Sequence, residues 1–476
     1  MSERCAVIGI GQTVAKSKRE DVSIAGLVRE AALMALEDAG LTLADIDAVV
    51  IGKAPDMFEG VMMPELYLAS ALGAVGKPMM RVHTAGSVGG STAIVAAHLV
   101  ASGIHHRVLT VAFEKQSDSD AMWALSVPQP FSSPLLAGAG GYFAPIIRAY
   151  MHRSGAPRDI GMKVAVKDRL HALRNPYAHL HIADISLQMV EDSMMLWDPL
   201  HYLESCPSSD GAAAMIIGSE SAAAAAQSDT GRRPAWIHGM AMRSEPTMFA
   251  GRDQVNPQAG RDCAAALYRQ AGIGNPRADF DMAEVYVPFS WYEPMWLENL
   301  GFCAEGDGWK LTDAGATSLI DGGDIPWNCS GGVLSSNPIG ASGMLRFLET
   351  ALQIRGLAGE HQVPDARRAL GQAYGGGSQF FSMWVVSVDK PRRVERGRYA
   401  QVPSSQPTRR SSVKVVVDFD ECASNAVCMG ILPEVFEVRD DGYLYILNEN
   451  PPEEFRGKLR EAVNGCPTGA ISIEDD

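Results

Sequence analysis

The stretch GGSTAIVAAHLVASG, residues 89–103, places small residues at the start of a long predicted helix. A second stretch, GASGMLRFLETALQIRG at residues 340–356, repeats this arrangement. Each helix leads toward a β-rich run, at residues 107–113 and 378–388. Small residues let a backbone approach a substrate closely, and helix N-termini favour negative charge. The pattern predicts two similar α/β halves whose helix N-termini converge on one pocket.

A second internal repeat supports the same architecture. AALMALEDAGLTLADIDAVVIG (31–52) and CAAALYRQAGIGNPRADFDMAEVYV (263–287) each read as a helix, a turn and then a strand. Helix–strand alternation is also common in α/β proteins that contain no repeat, and this remains the alternative explanation.

Composition narrows the class of protein. The chain has 476 residues, with 46% hydrophobic, 20% charged and a formal net charge of −15. This charge argues against nucleic acid or an anionic membrane surface as the main partner. No apolar run approaches the roughly 20 residues of a membrane span. The start, MSERCAVIGIG (1–11), is typical of a strand entering a glycine turn, not of a signal peptide, so we expect a cytoplasmic protein.

A change in composition divides the chain. Residues 391–412 lack apolar periodicity and are rich in Arg, Ser and Pro, which predicts a linker. Residues 413–476 carry 5 Lys and Arg against 14 Asp and Glu, a net charge of −9. We therefore predict a large domain over residues 1–390, with halves of about 1–250 and 251–390, followed by a small acidic α+β domain.

Five sequence blocks, in order along the large domain, resemble a thiolase of the sterol-carrier-protein-X branch and its bacterial lipid-transfer-protein relatives. The resemblance implies a two-half α/β thiolase fold, a homodimer and acyl-CoA substrates in lipid metabolism. The blocks are NPYAH (175–179), CPSSDGAAAMII (206–217), AEVYVPFSWYEPMWLENLGFC (283–303), NCSGGVLSSNPIGASG (328–343) and AYGGGSQ (373–379).

The catalytic positions depart from that family. A thiolase needs a nucleophilic thiolate, a His that activates it, an oxyanion site and a second acid–base group. In the matched blocks Ser87 stands at the nucleophile and Asn337 at the "GHP" His. Ala373 replaces the second Cys, and Tyr286 replaces the His of "HDCF". Thiolase chemistry therefore does not transfer directly.

Two tyrosines, Tyr286 and Tyr374, stand where acid–base groups are expected. A phenol can donate or accept a proton in carbon–carbon bond chemistry, and a retro-aldol reaction needs no covalent acyl-enzyme. The pattern resembles the cysteine-less steroid side-chain-cleaving aldolases of the superfamily, which use tyrosines at corresponding positions. Asn337 could donate to an enolate or thioester oxygen. The alternatives are packed aromatics beside a decayed site and an Asn that only forms a turn.

The glycine-rich segments supply the predicted substrate contacts. Ser87, Gly89, Gly340 and Gly375 are predicted to bind substrate through close backbone approach or hydrogen bonds. A nucleophilic Ser87 would need a positioned base, and the usual His is missing. We therefore favour a turn or substrate-binding role for Ser87. Cys303 and Cys329 lie near the blocks but outside the catalytic positions, and both are interpreted as structural.

The C-terminal domain carries an iron–sulfur pattern. Cys422 and Cys428 are followed far downstream by Cys466, which precedes Pro467. Thiolates at such spacings with a final Cys-Pro are typical of iron–sulfur ligation. Asn425 stands where bacterial ferredoxins have a further Cys, so three thiolates favour [3Fe–4S], and [4Fe–4S] with Asn425 as fourth ligand is the alternative. The domain resembles small acidic actinobacterial ferredoxins. A structural zinc site normally has four protein ligands, whereas this domain offers three cysteines, and a disulfide would leave the third cysteine unpaired.

These observations predict a thiolase-like lyase that cleaves the side chain of a β-hydroxyacyl-CoA and is fused to a ferredoxin. The resemblance to the steroid side-chain-cleaving aldolases implies a steroid substrate and a role in steroid degradation. The family resemblance implies an OB-fold/zinc-ribbon partner subunit, and the acidic ferredoxin domain suits a basic redox partner. Two alternatives stay open: an acyltransferase or thiolase with an unusual nucleophile, and a non-catalytic lipid-CoA carrier with an electron-transfer domain.

Overall fold

The computed structural model describes residues 3–54, 60–118, 138–246, 251–392 and 413–475. The chain divides into two compact units, Met1–Val394 and Glu395–Asp476. Most of the predicted linker, residues 393–412, lies outside the described residues. No helix in the described part of the chain is long and apolar enough to cross a membrane.

Eleven described strands belong to the first unit, and nine of them form one mixed sheet in the spatial order β3-β2-β4-β7-β1-β8-β11-β10-β9. Strands β5 and β6 pair separately. In chain order the strands are β1 (Cys5–Gln12), β2 (Ala48–Gly52), β3 (Met79–Val82), β4 (Arg107–Lys115), β5 (Met195–Trp197), β6 (Leu200–His201), β7 (Asp210–Ser219), β8 (Ala235–Ser244), β9 (Met282–Val285), β10 (Arg368–Gly375) and β11 (Phe380–Ser387).

The sheet consists of two similar halves, as predicted. The order β2-β4-β7-β1 on one side repeats as β9-β10-β11-β8 on the other. In both halves the first pair is parallel and the next two pairs are antiparallel. The halves meet where β1 pairs antiparallel with β8 at Ala6–Trp236 and Val7–Ala235. Strand β3 is an additional edge strand of the first half.

The helices of the first unit complete the repeat. Helices α1 and α8 precede the equivalent strands β2 and β9, and helices α3 and α13 precede the equivalent strands β4 and β10. The helices are α1 (Ile24–Ala39), α2 (Glu65–Ala71), α3 (Val88–Ala101), α4 (Gly138–Ser154), α5 (Ile160–Ala172), α6 (Leu187–Asp192), α7 (Glu220–Thr230), α8 (Gln258–Ala271), α9 (Pro276–Asp279), α10 (Tyr292–Asn299), α11 (Gly308–Asp313), α12 (Gly332–Ser335) and α13 (Ile339–Arg355).

Two sequence expectations about strands need correction. The strand that follows α13 is β10, residues 368–375, and the β-rich run at 378–388 is the next strand, β11. The segment RALGQAYG of β10 lacks β-branched residues, so its strand propensity is weak. The predicted glycine turn near the start is also wrong, because Gly9 and Gly11 lie within β1. A Cβ on Gly9 would lie 2.3 Å from the Ala35 carbonyl oxygen, so glycine here lets α1 pack on the strand.

Helices α3 and α13 form the centre of the unit. Both are buried along most of their length, and they pack against each other. Helix α3 is small or apolar on nearly all sides, which is typical of a core position, and α13 also buries the charged residues Arg346 and Glu349. Gly356 ends α13 in the left-handed conformation with φ of 74°, a conformation that favours glycine. This arrangement brings the N-termini of the two central helices together.

The second unit is small and built from short elements. Strand β12 (Val413–Val417) pairs antiparallel with β15 (Ile471–Asp475), and β13 (Phe436–Val438) pairs with β14 (Leu444–Ile446). Two short helices, α14 (Val427–Ile431) and α15 (Arg456–Gly465), pack against each other. Its separate apolar core includes Val413, Leu432, Phe436 and Leu459.

Candidate functional site

The two central helices touch backbone to backbone at their N-terminal ends. A Cβ on Gly89 would lie 2.4 Å from the Met344 nitrogen of α13, and a Cβ on Gly340 would lie 2.3 Å from the carbonyl oxygen of Phe113 in the neighbouring strand β4. Real Cβ atoms do not fit at such distances, so both positions require glycine. The structure thus places Gly89 and Gly340 at packing contacts, and their contact with substrate stays a prediction.

The turn that precedes α3 lies against the end of β10. A Cβ on Gly375 would lie 2.3 Å from the Gly86 nitrogen and 2.6 Å from the Ser87 nitrogen. A Cβ on Gly86 would lie 3.8 Å from the Tyr286 hydroxyl oxygen. The glycine-rich turn, the end of β10 and Tyr286 therefore form one site, which brings together residues from both halves.

Ser87 is engaged within its own turn. It is fully buried, and its Oγ lies 2.7 Å from the carbonyl oxygen of Thr84 and 2.9 Å from Thr84 Oγ1. Both partners belong to the turn, and neither is a base that could activate the hydroxyl. The geometry therefore supports a turn role for Ser87.

Tyr286 and Asn337 are hydrogen-bonded. Tyr286 follows β9, and its hydroxyl donates to Asn337 Oδ1 at 3.4 Å. Ser342 Oγ donates to the same oxygen at 2.7 Å. The side-chain nitrogen of Asn337, Nδ2, donates to Cys206 Sγ at 3.1 Å. Asn337 therefore links Tyr286 to a thiol that the sequence analysis gave no role.

The backbone of Asn337 is also fixed. The backbone carbonyl oxygen of Asn337 accepts from Gln116 Nε2 at 2.5 Å. Its backbone nitrogen donates to Ser209 Oγ at 3.1 Å. Asn337 is buried directly before α13. Its side chain therefore faces the site from a rigidly held segment, which goes beyond the predicted turn alternative.

Tyr374 adjoins Tyr286 in an aromatic cluster. Their ring centroids lie 5.5 Å apart at an interplanar angle of 80°. The ring of Tyr292 stacks on Tyr374 at 5.3 Å, and Trp296 contacts Tyr374 edge-on at 4.9 Å. The Tyr374 hydroxyl is buried and has no hydrogen-bond partner among the described residues. The structure thus brings the two predicted tyrosines together.

The three cysteines of the second unit line one pocket. Burial raises the pKa of Cys428, and the neighbouring Cys422 and Cys466 raise it further. Burial also acts to raise the pKa of Cys466, but hydrogen bonds from Thr468 and nearby backbone amides outweigh it and lower the pKa. The structure describes no group of His, Cys, Asp and Glu that could hold a single metal ion. Three thiols around a shared cavity fit the donor set of an iron–sulfur cluster.

Asn425 lines the same cavity and is exposed. Its Oδ1 accepts from the Val427 amide at 3.3 Å, at the start of α14. The adjacent Ser424 and Ala426 have φ of 51° and 61°, a region that L-residues rarely adopt. The Asn425 oxygen therefore closes a strained turn.

Comparison with known proteins agrees with this architecture. The family "Thiolase C-terminal domain-like" matches residues 241–387, and "4Fe-4S single cluster domain of Ferredoxin I" matches residues 417–473. An acetyl-CoA acetyltransferase of Methanothermobacter thermautotrophicus is 31% identical over 388 residues, covering 78% of this chain and 96% of the relative. The chain belongs to the thiolase family. It is a thiolase–ferredoxin fusion.

Three further proteins are similar to this thiolase–ferredoxin fusion. A 17-hydroxy-3-oxo-4-pregnene-20-carboxyl-CoA lyase of Mycobacterium tuberculosis is 31% identical over 380 residues, covering 75% of this chain and 92% of the lyase. The solved Ltp2-ChsH2(DUF35) aldolase has a TM-score of 0.69 and 28% identity, and covers 83% of this chain and 99% of that chain. The human mitochondrial 3-ketoacyl-CoA thiolase, at 15% identity and a TM-score of 0.60, shares the fold.

Burial controls the protonation of the tyrosines in this thiolase fold. It raises the pKa of Tyr286 above its ordinary value of 10, and the neighbouring Cys206 raises it further. Burial likewise raises the pKa of Tyr374 well above 10, with further contributions from Tyr292 and Tyr286. Burial also raises the pKa of Cys206 to about 11. At neutral pH the site therefore holds neutral phenols and a neutral thiol.

This protonation predicts the pH dependence of activity. Because the folded-state pKa of Tyr286 and Tyr374 lies above 10, both stay protonated where an ordinary tyrosine ionises. We expect kcat/KM to stay level as pH rises to 10 and to fall only above it. Because the pKa of both phenols is higher in the folded than in the unfolded protein, the free energy of unfolding should also fall as pH rises above 10. An alkaline limb centred below 10, measured while circular dichroism stays native, would contradict the assignment.

Two site residues were missed by the sequence analysis. Tyr292 lies in the same block as Tyr286, at the start of α10, and its local sequence does not distinguish it from a packed aromatic. Cys206 begins the CPSSDGAAAMII block, but its sulfur reaches the site only because the chain before β7 passes beside Asn337. The block membership of both residues was the available signal.

Proposed function

We propose that the thiolase-like unit catalyses retro-aldol cleavage of a β-hydroxyacyl-CoA into a ketone and a shortened acyl-CoA. The observation that carries the proposal is the contact of Tyr286 with Tyr374 beside Asn337, at a site where Ser87 replaces the nucleophilic cysteine. The lyase and aldolase relatives support it. A steroid acyl group is proposed on the same relatives.

The proposed reaction moves one proton from the β-hydroxyl to the α-carbon. The bond between the α- and β-carbons breaks, and its electron pair goes to the α-carbon. The electron pair of the β-hydroxyl O–H bond forms the second carbon–oxygen bond of the ketone. A phenol can accept a proton on its oxygen while it gives up its own. Neutral Tyr286 and Tyr374 can therefore relay the proton, and no tyrosinate has to accumulate.

Asn337 would assist by stabilising the negative charge that develops on the thioester oxygen in the enolate. Its side-chain nitrogen, Nδ2, donates to Cys206 Sγ, and a thiol sulfur is a weak acceptor of hydrogen bonds. Exchanging this bond for one to an enolate oxygen would therefore cost little and gain a stronger, charge-assisted bond. In the resting site its Oδ1 orients the Tyr286 hydroxyl.

Product analysis by mass spectrometry tests the proposal. The chain is incubated, with and without a co-encoded OB-fold partner, with a β-hydroxy steroid-CoA, and separately with a 3-ketoacyl-CoA plus free CoA. A ketone and a shortened acyl-CoA from the hydroxy substrate would support the lyase. CoA-dependent cleavage of the keto substrate alone would overturn it.

An acyltransferase is the second candidate, because one relative is an acetyl-CoA acetyltransferase. Ser87→Ala discriminates the two functions. We expect cleavage to survive in Ser87→Ala, with stability lowered by about 1 kcal/mol for the lost turn hydrogen bond. Intact-mass analysis after exposure to acyl-CoA should show no acyl adduct in either form. An adduct on wild type that disappears in Ser87→Ala would favour acyl transfer.

We also propose a homodimer and a partner subunit. Strand β3 is a half-exposed edge of the large sheet, and an unpaired edge can pair with another chain. Helix α2 packs against β3 and exposes the large apolar residues Leu66 and Tyr67. The name of the solved Ltp2-ChsH2(DUF35) aldolase supports a second subunit. Light scattering of the chain alone, and then with the co-encoded protein, measures both associations.

For the second unit we propose a [3Fe–4S] cluster held by Cys422, Cys428 and Cys466. The cluster would supply one-electron transfer, and the acidic surface would dock to a basic redox partner. The engagement of the Asn425 oxygen with the Val427 amide supports three ligands over four.

A further inference from the structure

Three buried hydroxyls at the end of β10 have no partner. Tyr292 Oη, Tyr374 Oη and Ser378 Oγ are all buried, and each lacks a hydrogen bond among the residues that the structure describes. A buried hydroxyl left unpaired is costly. Such groups in a native site need an explanation, and a bound oxygen is the simplest.

The hydroxyls of Tyr374 and Ser378 both neighbour the hydroxyl of Tyr292. The ring of Tyr292 stacks on Tyr374 at an interplanar angle of 19°. Burial raises the pKa of Tyr292 well above 10, and Ser378 and Tyr374 lie close enough to lower it in part. None of the three oxygens has a partner that meets the full distance and angle requirements of a hydrogen bond in the described part of the chain. Each hydroxyl therefore keeps a donor for a bound oxygen.

A buried ion pair holds this arrangement in place. Arg252 donates to Glu245 Oε2 at 2.6 Å, to the carbonyl oxygen of Ser378 at 3.1 Å and to that of Gly377. Ser378 has φ of 68°, an uncommon conformation for a residue other than glycine. The ion pair therefore fixes the strained turn that presents Ser378 beside Tyr292.

We propose that Tyr292, Tyr374 and Ser378 form a hydroxyl cradle that binds the β-oxygen of the acyl-CoA substrate, with Tyr292 as a further substrate-binding residue. The inference rests on the proposed lyase function and deepens it. The β-oxygen is a hydroxyl before cleavage and a carbonyl after it, and both forms accept hydrogen bonds. As its proton leaves, the oxygen gains negative charge, which the cradle donors stabilise.

The test compares two acyl-CoA probes that differ only in the β-oxygen: β-hydroxy-β-methylbutyryl-CoA and β-methylbutyryl-CoA. The full chain with its co-encoded partner is used, and affinity is read from intrinsic fluorescence within the first turnover. We expect wild type to bind the hydroxy probe about five- to tenfold more tightly. We expect Tyr292→Phe to lose most of that preference and roughly 10²-fold in kcat. Ser378→Ala should lose part of both.

The control is Tyr268→Phe, in a half-buried tyrosine whose hydroxyl donates to the Leu300 carbonyl oxygen at 2.7 Å outside the site. We expect a lower Tm and unchanged cleavage there, whereas Tyr292→Phe should keep or raise its Tm. Equal affinity of wild type for both probes, or a preference and rate retained in Tyr292→Phe, would overturn the cradle. A preference without any ketone product would leave the cradle in place and reject the lyase function.

Discussion

Tyr374→Phe and Tyr286→Phe are each expected to lower kcat for β-hydroxyacyl-CoA cleavage by roughly 10²- to 10⁴-fold, the usual contribution of a positioned acid–base group. Each substitution removes only the hydroxyl and keeps the ring in the aromatic cluster. Steady-state release of ketone and shortened acyl-CoA measures the effect.

The stability of the two variants should differ. The Tyr374 hydroxyl has no partner in the described part of the chain, so its removal should leave the Tm unchanged or raise it. Tyr286→Phe removes a hydrogen bond to Asn337 and should lower the Tm slightly.

A matched control separates chemistry from packing. The Tyr150 hydroxyl donates to Glu298 Oε1 at 2.8 Å, outside the candidate site. Tyr150→Phe should lower the Tm and leave the cleavage rate unchanged. Full activity in both Tyr286→Phe and Tyr374→Phe would mean that these tyrosines are packed aromatics with no acid–base role. No cleavage by wild type would correspond to the decayed site that the sequence left open.

The sequence predicted the fold class because its signals are local. The small residues at 89–103 and 340–356 and the repeated helix–strand order specify two similar halves. Strand β10 was harder, because RALGQAYG has weak strand propensity and is held by its pairing with β9 and β11. Gly9 and Gly11 were interpreted as a turn because their real constraint, the close approach of α1, is tertiary.

The site was predictable where a block of sequence carried it. Tyr286, Tyr374 and Asn337 occupy recognisable positions, and the structure brings them together. The Cys206 thiol and the Tyr292 hydroxyl join them only through the chain path before β7 and the start of α10. No local pattern reports such contacts between distant segments, so sequence reasoning could name the blocks but not the neighbours within the site.

Cys466→Ala is expected to abolish cluster binding in the second unit. Three thiols line the cavity, and two cannot hold a cluster that needs three iron–thiolate bonds. Visible absorption and the iron and sulfide content of the purified full chain should fall from one cluster to none. Cys303→Ala, at a half-buried cysteine of the first unit, is the matched control and should keep the cluster. A cluster retained in Cys466→Ala would contradict the ligand assignment.

Asn425→Cys tests the cluster type by adding a thiolate ligand, where Cys466→Ala removes one. Asn425 lines the cavity where the pattern lacks a thiol, and its oxygen is engaged with the Val427 amide. A thiolate at that corner should convert an oxidised paramagnetic [3Fe–4S] cluster into an oxidised diamagnetic [4Fe–4S] cluster. Electron paramagnetic resonance should therefore show the signal in wild type and lose it in Asn425→Cys, while the iron content rises. If wild type is already diamagnetic with four irons, a fourth ligand is present, and the three-thiolate proposal is wrong.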